Sequence, residues 1–269
     1  MAALTDRPAL LRARARAVDP DALFLHRLAR DGIEERLAVV NRPLTTAAVV
    51  TGHPAAWQGL RGARVVPDDE VLALEEGAFD LVVHAMALHW ANDPVGQLIQ
   101  CRRALKPDGL LLAVFPGGET LADLRAALAE AEVALTGGLS PRVLPMGEIR
   151  ALGALLQRAG LALPVADAER HRVQYRSALH LMRDMRAMGE GNALAARPRH
   201  FTRRGVLMEA ARRYPGAGDG PVHAMFELIT LTGWAPAPSQ PQPLRPGSAV
   251  QRLADALSTA ETPLRDAGN

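Results

Sequence analysis

Residues 79–124, FDLVVHAMALHWANDPVGQLIQCRRALKPDGLLLAVFPGGETLADL, constrain the fold more tightly than any other part of the chain. The run opens on FDLVVH and returns to LLLAVF at 110–115, two short apolar segments of the kind that strands buried on both faces require. Between them residues 93–105 read as a helix, closed by Lys106-Pro107-Asp108-Gly109, a breaker followed by a turn. Gly117-Gly118 then opens a second helix, from Glu119 to about Leu135, with Leu121, Leu124, Leu128 and Ala131 on one face. Strand, helix, strand, helix with apolar strands specifies an α/β fold around a parallel sheet. Ligands of open parallel sheets bind outside the carboxyl ends of the strands. His84, Ala85 and Met86 after one strand, and Pro116, Gly117 and Gly118 after the next, are therefore expected to face one crevice. The glycine pair would let a backbone approach a ligand closely.

The flanks fit the same plan. Residues 8–40 read as helix, with Leu23, Phe24, Leu28, Ile33 and Leu37 forming an apolar stripe and Asp19-Pro20 resembling an N-cap with proline at the first helical position. Asn41-Arg42-Pro43 ends it. Two β-like runs follow, AAVVT at 47–51 and ARVV at 63–66. A helix at 146–159 stops at Gly160, a left-handed cap. In the last third, 171–176 (HRVQYR) alternates as a strand, 178–188 and 202–213 read as helices, and 224–234 reads as a final strand. Prolines crowd residues 236–246, which neither sheet nor helix tolerates, and 248–257 reads as a docking helix. The expected organisation is an N-terminal helical segment (1–44), an α/β domain (45–235) and a Pro-rich linker with a C-terminal tail (236–269).

Composition narrows the class of function. Hydrophobic residues make up 48% and charged residues 22% of the 269 residues, a globular balance. The longest charge-free apolar run, 109–118, is too short to span a bilayer, so an integral membrane segment is not expected. The first residues lack a secretory pattern. Cys101 is the single cysteine, which excludes an intramolecular disulfide and a multi-cysteine metal site; a reducing, cytoplasmic setting is expected. Net charge is only +2, and Lys106 is the single lysine among 31 basic residues. Arginine usage that uniform points to a GC-rich, bacterial coding sequence, not to phosphate binding. Arg12, Arg14 and Arg16, with Arg7 nearby, are read as a solvated face, and nucleic acid is not the expected partner.

FDLVV, then LHW and ND, then LKPDG and an apolar strand resemble the fourth and fifth strands of class I S-adenosylmethionine-dependent methyltransferases. GGETLADLR, AEVALTGGLSPRV, LGALLQRAG, LMRDMRAMGEGNA and LTGW resemble, in order, the branch that contains the biotin-synthesis malonyl-carrier methyltransferase and the mitochondrial complex I assembly factor that acts as an arginine hydroxylase. The resemblance covers roughly residues 79–234. It implies a Rossmann-like class I methyltransferase fold, S-adenosylmethionine as cofactor, and a protein client among the subunits of respiratory complex I. Small-molecule or protein methylation, and a non-catalytic binding module, are the competing readings.

The chain departs from that pattern in its N-terminal half. After AAVVT it offers Gly52-His53-Pro54 where the family has three close glycines, and the stretch from Ala47 to Asp80 is only 34 residues long. A single βαβ unit needs about 30 residues, so residues 47–84 are expected to supply three strands instead of four, with the glycine motif and second strand degenerate. Gly52 remains the candidate for close approach to the cofactor. Asp68 and Asp69, with Glu70, stand where the resemblance places the acid that meets the adenine amino group. His84, Ala85 and His89 line the expected crevice. S-adenosylmethionine binding is accordingly expected to be weak or lost. No catalytic residue is assigned. His89 and Asp93, four apart, form an incomplete metal triad, and no metal is expected. Cys101 beside Arg102 and Arg103 is read as a buried thiol, and Leu181, Met182, Met185 and Met188 as core filler.

Overall fold

The structure is a computed structural model, and it describes residues 3–17, 19–218 and 220–240. Residues 1–237 form one compact unit; of the second unit, 238–269, only 238–240 are described, so the expected helix at 248–257 lies outside the described residues.

The helical N-terminus is broken in two. Asp6 caps α1 (Arg7–Arg14) by accepting from the Ala9 N–H, and a 3-10 turn at Pro20–Leu23, capped by Asp19, leads into α2 (Phe24–Ala38). The Asp19-Pro20 cap therefore starts a new element, since proline supplies no N–H to continue the helix before it. The chain then runs through β1 (Ala47–Thr51), the one-turn α3 (Pro54–Trp57), β2 (Arg64–Val66) and β3 (Phe79–Ala85). It continues through a 3-10 turn at Leu88–Trp90, α4 (Pro94–Ala104), β4 (Leu105–Gly117), α5 (Ala122–Thr136) and α6 (Ile149–Arg158). β5 (Ala162–Tyr175), α7 (Ala178–Ala187), α8 (Arg204–Arg213) and β6 (Val222–Trp234) complete the unit.

One six-stranded sheet runs in the order β2-β1-β3-β4-β6-β5. β2, β1, β3 and β4 are parallel; β6 is antiparallel to both β4 and β5. Residues 47–84 thus carry three strands, and β2 pairs directly with β1. Strand residues alternate between two apolar layers. Val49, Leu81, Val83, Leu112 and Val114 pack under α2, α5, α7 and α8. Ala48, Val50, Val82, Leu111, Ala113 and Phe115 pack under α4 and α6. The sheet is therefore sandwiched, as its uninterrupted valine and leucine runs require. Among the described residues no helix is long and apolar enough to cross a membrane.

Two strands are longer than their local pattern suggests. β5 begins nine residues before the alternating segment, and β4 takes in the Lys106–Gly109 turn, with Asp108 at φ 62°. For β5, pairing with β6 from Ala162 onward imposes extended backbone that side-chain periodicity does not announce; the β4 ladder with β6 begins only at Leu110.

Candidate functional site

The crevice sits at the carboxyl ends of β1, β2 and β3, and the chain's own N-terminal helix fills part of it. Gly52 follows β1, and a Cβ built there would collide with the Arg14 guanidinium from α1. Glycine is needed at this position for a close approach, and the approaching group is Arg14. The Arg14 Nη1 donates to both oxygens of Asp68 at 2.8 Å, and Arg7 adds a contact at 3.2 Å. Arg14 and Asp68 side chains are only 4% and 5% exposed. Burial works against ionising Asp68, but the Arg14 charge and the Arg7 and Arg14 hydrogen bonds hold its carboxyl below the usual range. Arg14 is thus a buried ion-pair partner, a correction to its reading as part of a solvated face; Arg12 and Arg16 are exposed as expected.

The other candidates of the second strand's exit have separate roles. Asp69 is 60% exposed and meets Arg7 at 3.4 Å, while its carbonyl accepts from Gln97 Nε2. The Glu70 carbonyl accepts from Gln100 Nε2. His84, at the end of β3, is fully buried, its Nε2 2.7 Å from Gln97 Oε1. Because Gln97 donates its Nε2 to Asp69, its Oε1 is the acceptor, and His84 must carry its proton on Nε2. Burial pushes the His84 pKa down to about 4, against the Gln97 bond and Asp68. Ala85 is wholly in the core beneath the crevice.

Above these residues lies a polar cluster drawn from elements far apart in sequence. His89, in the turn after β3, places Nε2 3.4 Å from Glu190 Oε2, and Trp90 Nε1 donates to the same oxygen at 2.6 Å. Glu190 arrives on the loop after α7. Gly189 makes that possible: its φ is +84°, and a Cβ there would sit 3.0 Å from Arg14 Cα and 3.2 Å from His53 Cε1. His26, from α2, accepts at Nδ1 from Trp57 Nε1 at 3.0 Å, and its ring meets that of His53 edge-on at 4.7 Å. Burial, then the neighbouring His53, hold His26 neutral, down to about 3; burial also lowers His53. Burial opposes ionisation of Glu190, but His89, Arg14 and Trp90 hold its carboxyl at about 2. His26, Trp57 and Glu190 were invisible as a site in the sequence. The one available signal was the Gly-Glu-Gly-Asn loop, whose function the sequence does not disclose.

Next to Glu190 opens a cavity of about 700 Å³. Its walls are mostly apolar, including Leu121, Leu124, Met182 and Phe226, with His89, Trp90, Glu190 and four arginines among its polar lining.

Other expectations are revised. Gly117 and Gly118 are crowded by the protein itself: Gly118 has φ +52°, and the Glu227 carboxylate of β6 fills the place of its Cβ, while Ile229 crowds Gly117. Asp93 caps α4 through the Gly96 N–H at 2.8 Å and forms no pair with His89. Cys101 is buried, as its sequence reading expected, and burial pushes its thiol up to about 12.

A family model described as a methyltransferase domain matches residues 17–113, and the chain is similar to members of the class I S-adenosylmethionine-dependent methyltransferase superfamily. Among them, the chain is 38% identical over 194 residues to arginine-hydroxylase NDUFAF5, mitochondrial, of Danio rerio, covering 71% of this chain and 60% of that protein. The Homo sapiens protein of the same name is 38% identical over 188 residues, covering 69% and 54%. Malonyl-[acyl-carrier protein] O-methyltransferase of a Methylovorus species is 36% identical over 173 residues, covering 64% and 56%. The matched region thus spans 60% or less of the length of each of these relatives.

Proposed function

We propose that this chain is a methyltransferase-fold assembly factor that acts on a protein subunit of respiratory complex I and has weak or no affinity for S-adenosylmethionine. The observation that carries this reading is the seating of Arg14 on Gly52 with Asp68 as its partner. The residues that would receive the cofactor do not fit it: the glycine surface is covered by a guanidinium, and the nearest carboxylate is committed to two arginines. The residues from 117 to 234, which meet substrates in this fold, instead retain the ordered motifs shared with the arginine hydroxylases. Modification of a client arginine, as the relatives' name suggests, is the chemistry favoured for that half.

Calorimetric titration tests the first part. We expect a dissociation constant for S-adenosylmethionine above about 100 μM, less than about 5.5 kcal/mol of binding free energy. A low-micromolar constant would revive methylation, the function of the malonyl-carrier relatives, as the better reading. The second part is tested by deleting the gene and measuring rotenone-sensitive NADH oxidation in membranes. Loss of activity with unassembled complex I is expected, and normal assembly would remove the proposal. Mass spectrometry of arginines in the peripheral-arm subunits then separates modification from chaperoning.

A further inference from the structure

We infer that His26, His53 and Glu190 form a binding site for a late first-row divalent metal ion, held between α2, the turn after β1 and the loop after α7. One ligand atom from each residue lies within 4.8 Å of the other two. His26 Nε2, His53 Nε2 and Glu190 Oε1 are all buried and have no hydrogen-bond partner. Native proteins rarely leave such atoms unpaired without a reason, and three of them on side chains whose ligand atoms gather within 4.8 Å call for a shared guest. Two neutral imidazoles and an ionised carboxylate are the donor set of zinc and of non-haem iron sites, and they suit cobalt and nickel as well.

The surroundings agree with this set. Glu190 Oε2 is already fixed by Trp90, leaving Oε1 for the ion, and such outer partners orient metal ligands generally. Arg14 lies close by, but Asp68 balances its charge. Tetrahedral bonds of about 2.0–2.2 Å place ligand atoms roughly 3.4 Å apart, so the three side chains must draw together by about an ångström. Glu190 also lines the large cavity, which gives the ion a route in. Three protein ligands leave a coordination position for water or a client group.

Trp57 makes the inference specific. Its indole N–H donates to His26 Nδ1, so the neutral ring carries its proton on Nε2, the atom that must bind the ion. Uptake therefore shifts that proton to Nδ1 and leaves the indole without its acceptor. An orphaned buried donor of this kind costs about one to two decades of affinity. Replacing Trp57 with phenylalanine removes the penalty.

The experiment uses the full chain, stripped with chelator and titrated with ZnCl₂ and CoCl₂. We expect one equivalent bound, a change in tryptophan fluorescence, and binding weakened about 100-fold or more in His53→Ala and Glu190→Gln, since loss of a ligand should exceed the 10–100-fold typical of outer partners. Trp57→Phe should bind about tenfold tighter, which a purely structural cluster would not do. His200→Ala, outside the cluster, should bind as the parent does. Absence of stoichiometric binding, or binding that His200→Ala abolishes and His53→Ala leaves intact, would overturn the assignment. Should the ligand variants fail to fold, anomalous scattering from the cobalt-loaded parent decides: density must lie between these three side chains, and an ion elsewhere refutes the site. None of these readouts depends on complex I, so failure here and failure of the proposed function are separable.

Discussion

Arg14 and Asp68 show how one pair of side chains can reassign a crevice. Two charges buried together cost desolvation that their attraction only partly offsets, so removing one partner is far more damaging than replacing both. We therefore expect Arg14→Ala to lose about 3–5 kcal/mol of stability, read as a shift in the urea unfolding midpoint. The double variant Arg14→Met, Asp68→Asn should recover part of that loss, because no buried carboxylate is then left with Arg7 as its sole partner. Equal losses in the single and double variants would mean that the pair is not coupled. At this scale the sequence disclosed less than its residues suggest. Gly52, Asp68, His84 and His89 were identifiable because each ends or follows a strand whose apolar run is local. The partners that define their roles were not, since Arg14 lies 54 residues from Asp68 and His89 lies 101 from Glu190. Nothing in a local pattern records separations of that size.

The elements themselves were more legible where their burial is two-sided. β1, β3 and the central part of β4 are nearly all buried, and a continuous apolar run announces that state directly. β5 is an edge strand whose side chains are exposed or half-buried along its whole length, so only its last part alternates clearly. Its beginning is set by hydrogen bonding to β6, not by its own sequence. The opposite end of the sheet depends on a further polar device. Asp80, at the start of β3, accepts from the backbone N–H groups and the hydroxyls of Thr45 and Thr46 and from Lys106 Nζ, which ties the entries of β1 and β4 to β3. These bonds hold its carboxyl far below the usual carboxylate range, against some burial. Hydrogen bonds to a charged group contribute about 1.5–3 kcal/mol. Asp80→Ala should therefore lower stability by at least about 2 kcal/mol, seen as a fall in Tm, with the sheet intact by circular dichroism. A Tm within a degree of the parent would show that the three strand entries are held by packing alone.

For the molecule as a whole, the buried histidine at the end of β3 makes stability depend on pH. His84 is wholly enclosed, and its folded pKa is lowered from 6.5 to about 4, first by burial and then by His89 and Arg14, with Gln97 and Asp68 opposing. A group whose folded pKa is depressed binds its proton more readily in the unfolded chain. Above pH 6.5 neither state is protonated and His84 exacts no cost. Between pH 6.5 and about 4 the unfolded chain gains a proton that the folded chain refuses, so stability falls as the solution is acidified. Each unit in that window removes about 1.4 kcal/mol, and the loss between pH 7.5 and 5.0 is about 2 kcal/mol from this residue. Urea unfolding at the two pH values measures it, with His84→Gln as the comparison. The variant is less stable at pH 7.5 if it cannot reproduce the Gln97 bond, but its pH slope must be shallower than the parent's by about one proton. Parallel slopes in parent and variant would place the acid sensitivity elsewhere.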